Sequence, residues 1–155
     1  MSNKSFHRTL PQKRMGSGAL FLNEKQEILL VKPSYKPGWE IPGGIVEKLE
    51  SPLNACRREV WEEIGIEPAV LRLLCVDYLS ENDTRTEGLM FIFYGGTLNP
   101  QAIRQIRIDG EEIINFAFVP ADGISEKTSK ILGRRILKCI EAFKKGDTLY
   151  LEDQE

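Results

Sequence analysis

One helix constrains this chain more than any other segment, because its start, its stop and its buried face are all written between Ser51 and Gly65. Ser51 carries a side-chain oxygen that can cap the free N–H groups of the first turn. Pro52 suits the first helical position, where its missing N–H would have been unpaired anyway. Leu53, Cys56, Val60 and Ile64 recur at steps of three and four, which gives one apolar stripe. Gly65 then ends the helix as a C-terminal cap does.

Around this helix the sequence reads mainly as strands. Residues 16–22 and 27–32 are apolar-rich and flank Asn23-Glu24-Lys25-Gln26, which predicts a hairpin turn. KPSYKPG, with two prolines and a glycine, is a loop. A short strand over 39–41 runs into the tight turn Pro42-Gly43-Gly44. Residues 71–79 and 88–94 read as core strands joined by a polar loop over 80–87, and 99–110 as a partly basic connection. Residues 113–119 form another strand. Residues 129–145 place Leu132, Ile136, Cys139, Ile140 and Phe143 on one side of a second amphipathic helix, and TLYL near the end adds a short strand. Strands intermixed with two helices indicate an α/β or α+β layered domain.

The chain has 155 residues, enough for one domain with its own core, expected over residues 15–152. The leading MSNKSFHRTLPQKR is basic but lacks the apolar middle of a leader peptide, so residues 1–14 are expected to form a flexible arm. No apolar run approaches the length of a membrane span. A net charge of −2 offers no basic face for nucleic acid. Cys56, Cys75 and Cys139 are odd in number and each lies among apolar neighbours, so they read as buried free thiols in a reducing cytoplasm.

The helix also carries a puzzle. Glu59, Glu62 and Glu63 fall within about one turn, where like charges repel by roughly 0.2–0.5 kcal/mol per pair. At 100° per residue, Glu59 and Glu63 stand together beside the apolar stripe, with Glu62 further round and Arg58 further still. Such an arc is either a solvated acidic face or a site for a divalent cation. His7 is the one histidine and lies in the arm, so a histidine-rich zinc site is unavailable. Carboxylates with backbone carbonyls and water suit magnesium or manganese, which point to phosphate chemistry.

The full spacing narrows the choice. Gly44, Glu50, Arg58-Glu59, Val60, Glu62-Glu63, Gly65 and Ile66 fill every fixed position of a pattern that resembles the Nudix box, G-x5-E-x7-R-E-U-x-E-E-x-G-U with U apolar. The preceding WEIPGG and the order of strands are also similar to that family. Leu49 stands where many members have glycine. The resemblance implies a Nudix fold, a mixed β-sheet sandwiched between helices. It also implies hydrolysis, with magnesium or manganese, of a nucleoside diphosphate linked to another group. By position it makes Glu59, Glu62 and Glu63 the metal ligands, with the Gly43 carbonyl as a further one, and pairs Glu50 with Arg58 across the loop–helix junction. A charge-assisted hydrogen bond between the last two agrees with that pairing.

A general base is expected from Glu59 or from outside the box, where Glu112 and its neighbour Glu111 are the candidates. Lys32, Tyr35, Lys36 and Trp39 surround the loop leading into the box and are candidates to meet phosphate or base. Arg85, Arg104 and Arg107 are candidates for bidentate phosphate contacts. Trp61 is expected to pack at the edge of the buried stripe. The proline that marks the family's ADP-ribose hydrolases would fall near Glu81 and is missing, so a (d)NTP, an ADP-ribose-like compound or a nucleotide sugar all stay open. A catalytically silent nucleotide-binding sensor is the alternative, though it would be expected to lack one of the box acids. An isomerase is disfavoured because Cys56 lies on the buried stripe. Either a monomer or a homodimer is compatible with the sequence.

Overall fold

The computed structural model describes residues 3–155, with side chains from Ser5 onward. The first two residues of the expected arm lie outside the described residues. A single-turn helix α1 (Asn3–Phe6) and a 3-10 turn (His7–Thr9) lead to strand β1 (Arg14–Asn23). Then come β2 (Ile28–Pro33), β3 (Gly43–Ile45), helix α2 (Pro52–Ile64), β4 (Arg72–Leu79), β5 (Gly88–Leu98), α3 (Pro100–Arg104), β6 (Ile113–Val119), α4 (Ile124–Lys127), α5 (Lys130–Lys145) and β7 (Leu149–Glu152). The strands form one mixed sheet in the order β6-β2-β1-β5-β4-β7, with β3 also paired to β1. β1 runs parallel to β5, and β4 parallel to β7, while the other pairs are antiparallel.

Alternation along β1 sorts the core into two layers, as a pleated strand must. Ala19 and Phe21 pack with Cys56, Val60 and Ile64 of α2. Leu20 and Leu22 pack with Leu132, Ile136, Cys139 and Ile140 of α5. The sheet is therefore sandwiched between α2 and α5. Both helices end as their sequences require. The side chains of Ser51 and Ser129 accept from Asn54 and Leu132 N–H, and Gly65 and Gly146 take left-handed φ values of 66° and 72°.

Four local expectations need correction. The expected strand over 39–41 reduces to a single bridge between Glu40 and Val31, and the expected Gly43-Gly44 turn is itself strand β3. The reason is that β1 and β2 share only the Leu22–Ile28 pair next to their turn and then splay apart. The chain from Glu40 to Ile45 fills the opening, with Val31 and Glu40 exchanging backbone hydrogen bonds and Ala19 N–H donating to Pro42 O at 2.8 Å. The connection over 99–110 begins with α3, capped by the Asn99 side chain on Ala102 N–H. Trp61, expected to pack, is 61% exposed.

The three cysteines are buried free thiols, as expected, and Cys75 on β4 meets Cys139 on α5 with Sγ atoms 3.2 Å apart. Two residues along β4, the fully buried Asp77 accepts from Arg135 Nε of α5 at 2.7 Å, from Gln154 N–H at 3.0 Å and from Gln154 Nε2 at 3.1 Å. This network ties the sheet to α5 and to the chain's end. Among the described residues, no helix is long and apolar enough to cross a membrane.

Two substitutions test these packing arguments. Arg135→Met strands a buried carboxylate and should lower unfolding free energy by about 3–5 kcal/mol in a denaturant titration. Leu49 holds φ at 66°, in the turn Glu47–Glu50, with its side chain 99% exposed. Leu49→Gly removes that left-handed strain without losing packing, and should raise stability by about 1 kcal/mol in the same titration.

Candidate active site

Arg58 gathers the loop and the helix into one structure. Its Nε donates to Glu50 Oε1 at 2.8 Å and its Nη2 to Glu50 Oε2 at 3.1 Å, a fork-to-fork pair. Nη2 also reaches Ile45 O at 3.2 Å, at the end of β3. Nη1 holds Glu59 Oε1 at 2.8 Å and Glu62 Oε2 at 3.3 Å. Glu50 closes its own turn by accepting from Glu47 N–H at 3.0 Å. The Arg58 guanidinium, through these hydrogen bonds, holds the Glu50 carboxyl below the usual carboxylate range.

Glycines let the helix approach. A Cβ on Gly44 would lie 2.5 Å from the Glu59 carboxyl carbon, so the side chain of Glu59 rests over bare backbone. A Cβ on Gly43 would lie 2.4 Å from Ser17 O, where β3 meets β1. Ser17 itself is buried and its hydroxyl donates to Pro52 O at 2.6 Å, which seats the start of α2 on the sheet.

Burial separates the three helix glutamates. Glu63 is 9% exposed, whereas the Glu62 side chain is 55% exposed. Desolvation pushes Glu63 up to about 8, the charge of Glu59 adds to the rise, and the Gly43 backbone N–H opposes it. Glu63 Oε2 is buried with no hydrogen-bond partner. Glu59 is also raised, first by desolvation, against the pull of Arg58. The charge of Glu112 bears on both Glu59 and Glu63. Glu112 is carried there by a turn in which Asp109 Oδ1 accepts from the N–H groups of Glu111, Glu112 and Ile113.

Among the described residues, no three His, Cys, Asp or Glu side chains already stand as a metal-ligating group. The donor set nevertheless fits a hard cation. Two desolvated carboxylates lie side by side, and one has an orphaned oxygen that a cation would satisfy.

A cavity of about 270 Å³ opens beside this acidic wall, close to the lower end of the range for small-molecule sites. Gly43, Gly44 and Glu63 line it, as do Tyr35 and Lys36 from the loop after β2. Lys36 Nζ pairs with Glu40 at 2.6 Å and lies 5.6 Å from the Tyr35 ring centre. Lys32 does not line the cavity; its Nζ donates to Pro33 O and Lys36 O, which fixes the loop. Trp39 packs against the α5 layer with Lys127 Nζ over its ring. Arg85 is occupied with Ser80 O and Asp153, and Arg107 with the carbonyls of Arg104 and Ile106. Arg104, the last residue of α3, stands outside the cavity with Arg85 and Arg107.

Two charged residues of the cavity, Glu40 and Arg135, carry no role that the sequence reading gave them. Glu40, inside WEIPGG, lines the cavity and its charge reaches Glu63. Arg135 also lines it. A signal for Arg135 was present, since it stands three residues from Leu132 and four from Cys139, a charged residue at the spacing of the buried stripe.

Comparison with known proteins places the fold and the family. The sequence matches the NUDIX domain over residues 12–138. A MutT-like protein of Streptomyces ambofaciens is 25% identical over 131 residues, covering 84% of this chain and 79% of that protein. An RNA pyrophosphohydrolase of Psychrobacter cryohalolentis is 33% identical over 63 residues, 41% of this chain, so the match spans 36% of that relative's length. The MutT protein from Methanosarcina mazei Go1 superposes with a TM-score of 0.66 at 25% identity, covering 89% of this chain and 98% of that one. With the domain matched over residues 12–138 and the fold shared with a MutT protein, the chain belongs to the Nudix hydrolase family.

Proposed function

We propose that this protein hydrolyses the pyrophosphate linkage of a nucleoside diphosphate derivative, a (d)NTP, an ADP-ribose-like compound or a nucleotide sugar, and does so with magnesium or manganese. The observation that carries this reading is the orphaned, desolvated carboxylate of Glu63 beside Glu59 at the edge of the cavity. Glu59, Glu62 and Glu63, with the Gly43 carbonyl, would hold the ion. When bound, the ion supplies positive charge against the phosphoryl oxygens and makes water a better nucleophile at neutral pH.

The chain's own groups do the rest. Water oxygen attacks phosphorus, the bridging P–O bond breaks, and the water's proton passes to a carboxylate, for which Glu112 is the best placed outside the box. Lys36 stands at the cavity wall as a mobile point charge for phosphate, and Tyr35 offers an exposed ring at the mouth for a base. Arg58 and Glu50 touch no substrate; they hold Glu59 over Gly44. Reduced thiols at Cys75 and Cys139 suit a cytoplasmic setting.

The decisive assay is nucleotide or phosphate release from nucleoside triphosphates, ADP-ribose, dinucleoside polyphosphates and nucleotide sugars, with and without magnesium. Turnover of one class that stops on chelation is expected. Ligand binding without turnover of any class would move the reading to a nucleotide sensor.

Substitutions sharpen it. Glu59→Gln, Glu63→Gln and Glu112→Gln should each lower kcat by roughly 10²–10⁴-fold. Gly44→Ala displaces the Glu59 carboxyl, and Arg58→Lys loses the fork; each should cost about 10–100-fold in activity while the fold is retained. In chelator, Glu63 gives a pH signature. Its folded pKa of about 8 lies above the unfolded value near 4.5. Stability from this group is therefore complete below the unfolded pKa and is lost as pH rises to the folded one. Glu63→Gln should flatten that decline, so its melting temperature should exceed the parent's at pH 9 and differ least at pH 4.

A further inference from the structure

Arg135 lines the same cavity as the acidic wall but comes from α5, on the other face of the sheet from α2. It is 5% exposed, and its Nη2 is buried with no hydrogen-bond partner. A guanidinium is always charged and only donates. Asp77 takes its Nε and is otherwise engaged with Gln154, so it leaves Nη2 unmatched. The charges of Arg135 and Asp77 cancel, and Ile41, Ile92 and Leu132 make the neighbouring wall apolar. A spare donor on a neutral pair in an apolar setting suits an uncharged acceptor better than a phosphate. A tie between β4 and α5 alone needs Nε and gives no reason for the second nitrogen.

We propose that Arg135 determines base specificity: its guanidinium, which Asp77 engages through Nε alone, donates to a ring carbonyl of a substrate base seated against Ile41, Ile92 and Leu132, so keto-bearing bases are taken over adenine. This rests on the nucleotide reading above. A site built to hydrogen-bond a group discriminates strongly against the analogue that lacks it, because its own donor is then left unpaired. Lysine at this position keeps a charge for Asp77 but not the second planar donor.

The test compares inosine and adenosine nucleotides, which carry a keto or an amino group at the same ring position. Calorimetry with magnesium and non-hydrolysable α,β-methylene triphosphates reads binding, and parallel assays with the natural triphosphates read kcat and KM. The parent protein should bind the inosine analogue at least about tenfold more tightly. Arg135→Lys should reduce that ratio to about threefold or less, through KM, with kcat at saturation within about threefold of the parent. Should Arg135→Lys fail to fold, the pair Asp77→Asn with Arg135→Met removes the guanidinium without stranding a carboxylate, and should give the same loss.

Equal or tighter binding of the adenosine analogue by the parent, or a ratio unmoved in a folded variant, overturns the assignment even if hydrolysis is robust. A binding ratio that falls with Arg135 while no nucleotide is hydrolysed upholds it and overturns the hydrolase reading instead.

Discussion

The guanidinium of Arg58 is the interaction on which the site depends. It is about a quarter exposed, so no single ion pair it makes is worth much in stability. Its importance is geometric. One planar group fixes the turn through Glu50, the strand end through Ile45 O and the helix through Glu59. Because Nη1 takes Glu59 Oε1, that carboxylate is turned in a set direction over Gly44 rather than left to sample its rotamers. A lysine has three donors on one nitrogen and cannot grip Glu50 with two parallel bonds while still reaching Ile45 O and Glu59.

The charge pattern of the cavity follows from that arrangement. On the α2 side one arginine pairs with Glu47, Glu50, Glu59 and Glu62, and both Glu59 and Glu63 are taken out of water, so carboxyl groups outnumber cations there. On the α5 side the ionic pair Asp77–Arg135 is balanced within itself. The two walls therefore offer different chemistry to the two ends of one molecule. On the proposed reading, cation and phosphate would sit at the first, and a neutral, largely apolar group at the second.

Much of this was legible in the sequence, and for local reasons. The caps of α2, its apolar stripe and the neighbouring glutamates lie within a few residues of one another, and helical geometry alone places them. The Glu50–Arg58 pair spans eight positions and depends on an ordinary loop-to-helix contact. What escaped depends on long-range packing. Gly43-Gly44 reads as a turn because nothing nearby in sequence says that β1 and β2 part and admit a third segment. Asp77 and Arg135 are 58 residues apart, and neither shows its partner. Glu40 and Lys36 are close in sequence, but the wall they share is formed only when the loop after β2 is laid against β1.

The segment from Glu40 to Ile45 has one more consequence. It is hydrogen-bonded on one side to β2 and on the other to β1, so it is part of the sheet although it also lines the site. It cannot swing outward as a flap without tearing backbone pairs from both neighbours. The neighbouring edge formed by Ser34–Gly38 lies outside the strands and is tied instead by single contacts, Ser34 N–H on Glu112 O at 2.9 Å and Lys32 Nζ on Lys36 O. The floor of the site is thus built by backbone pairing of β1, β2 and the segment between them, whereas the glutamates stand on α2 alone.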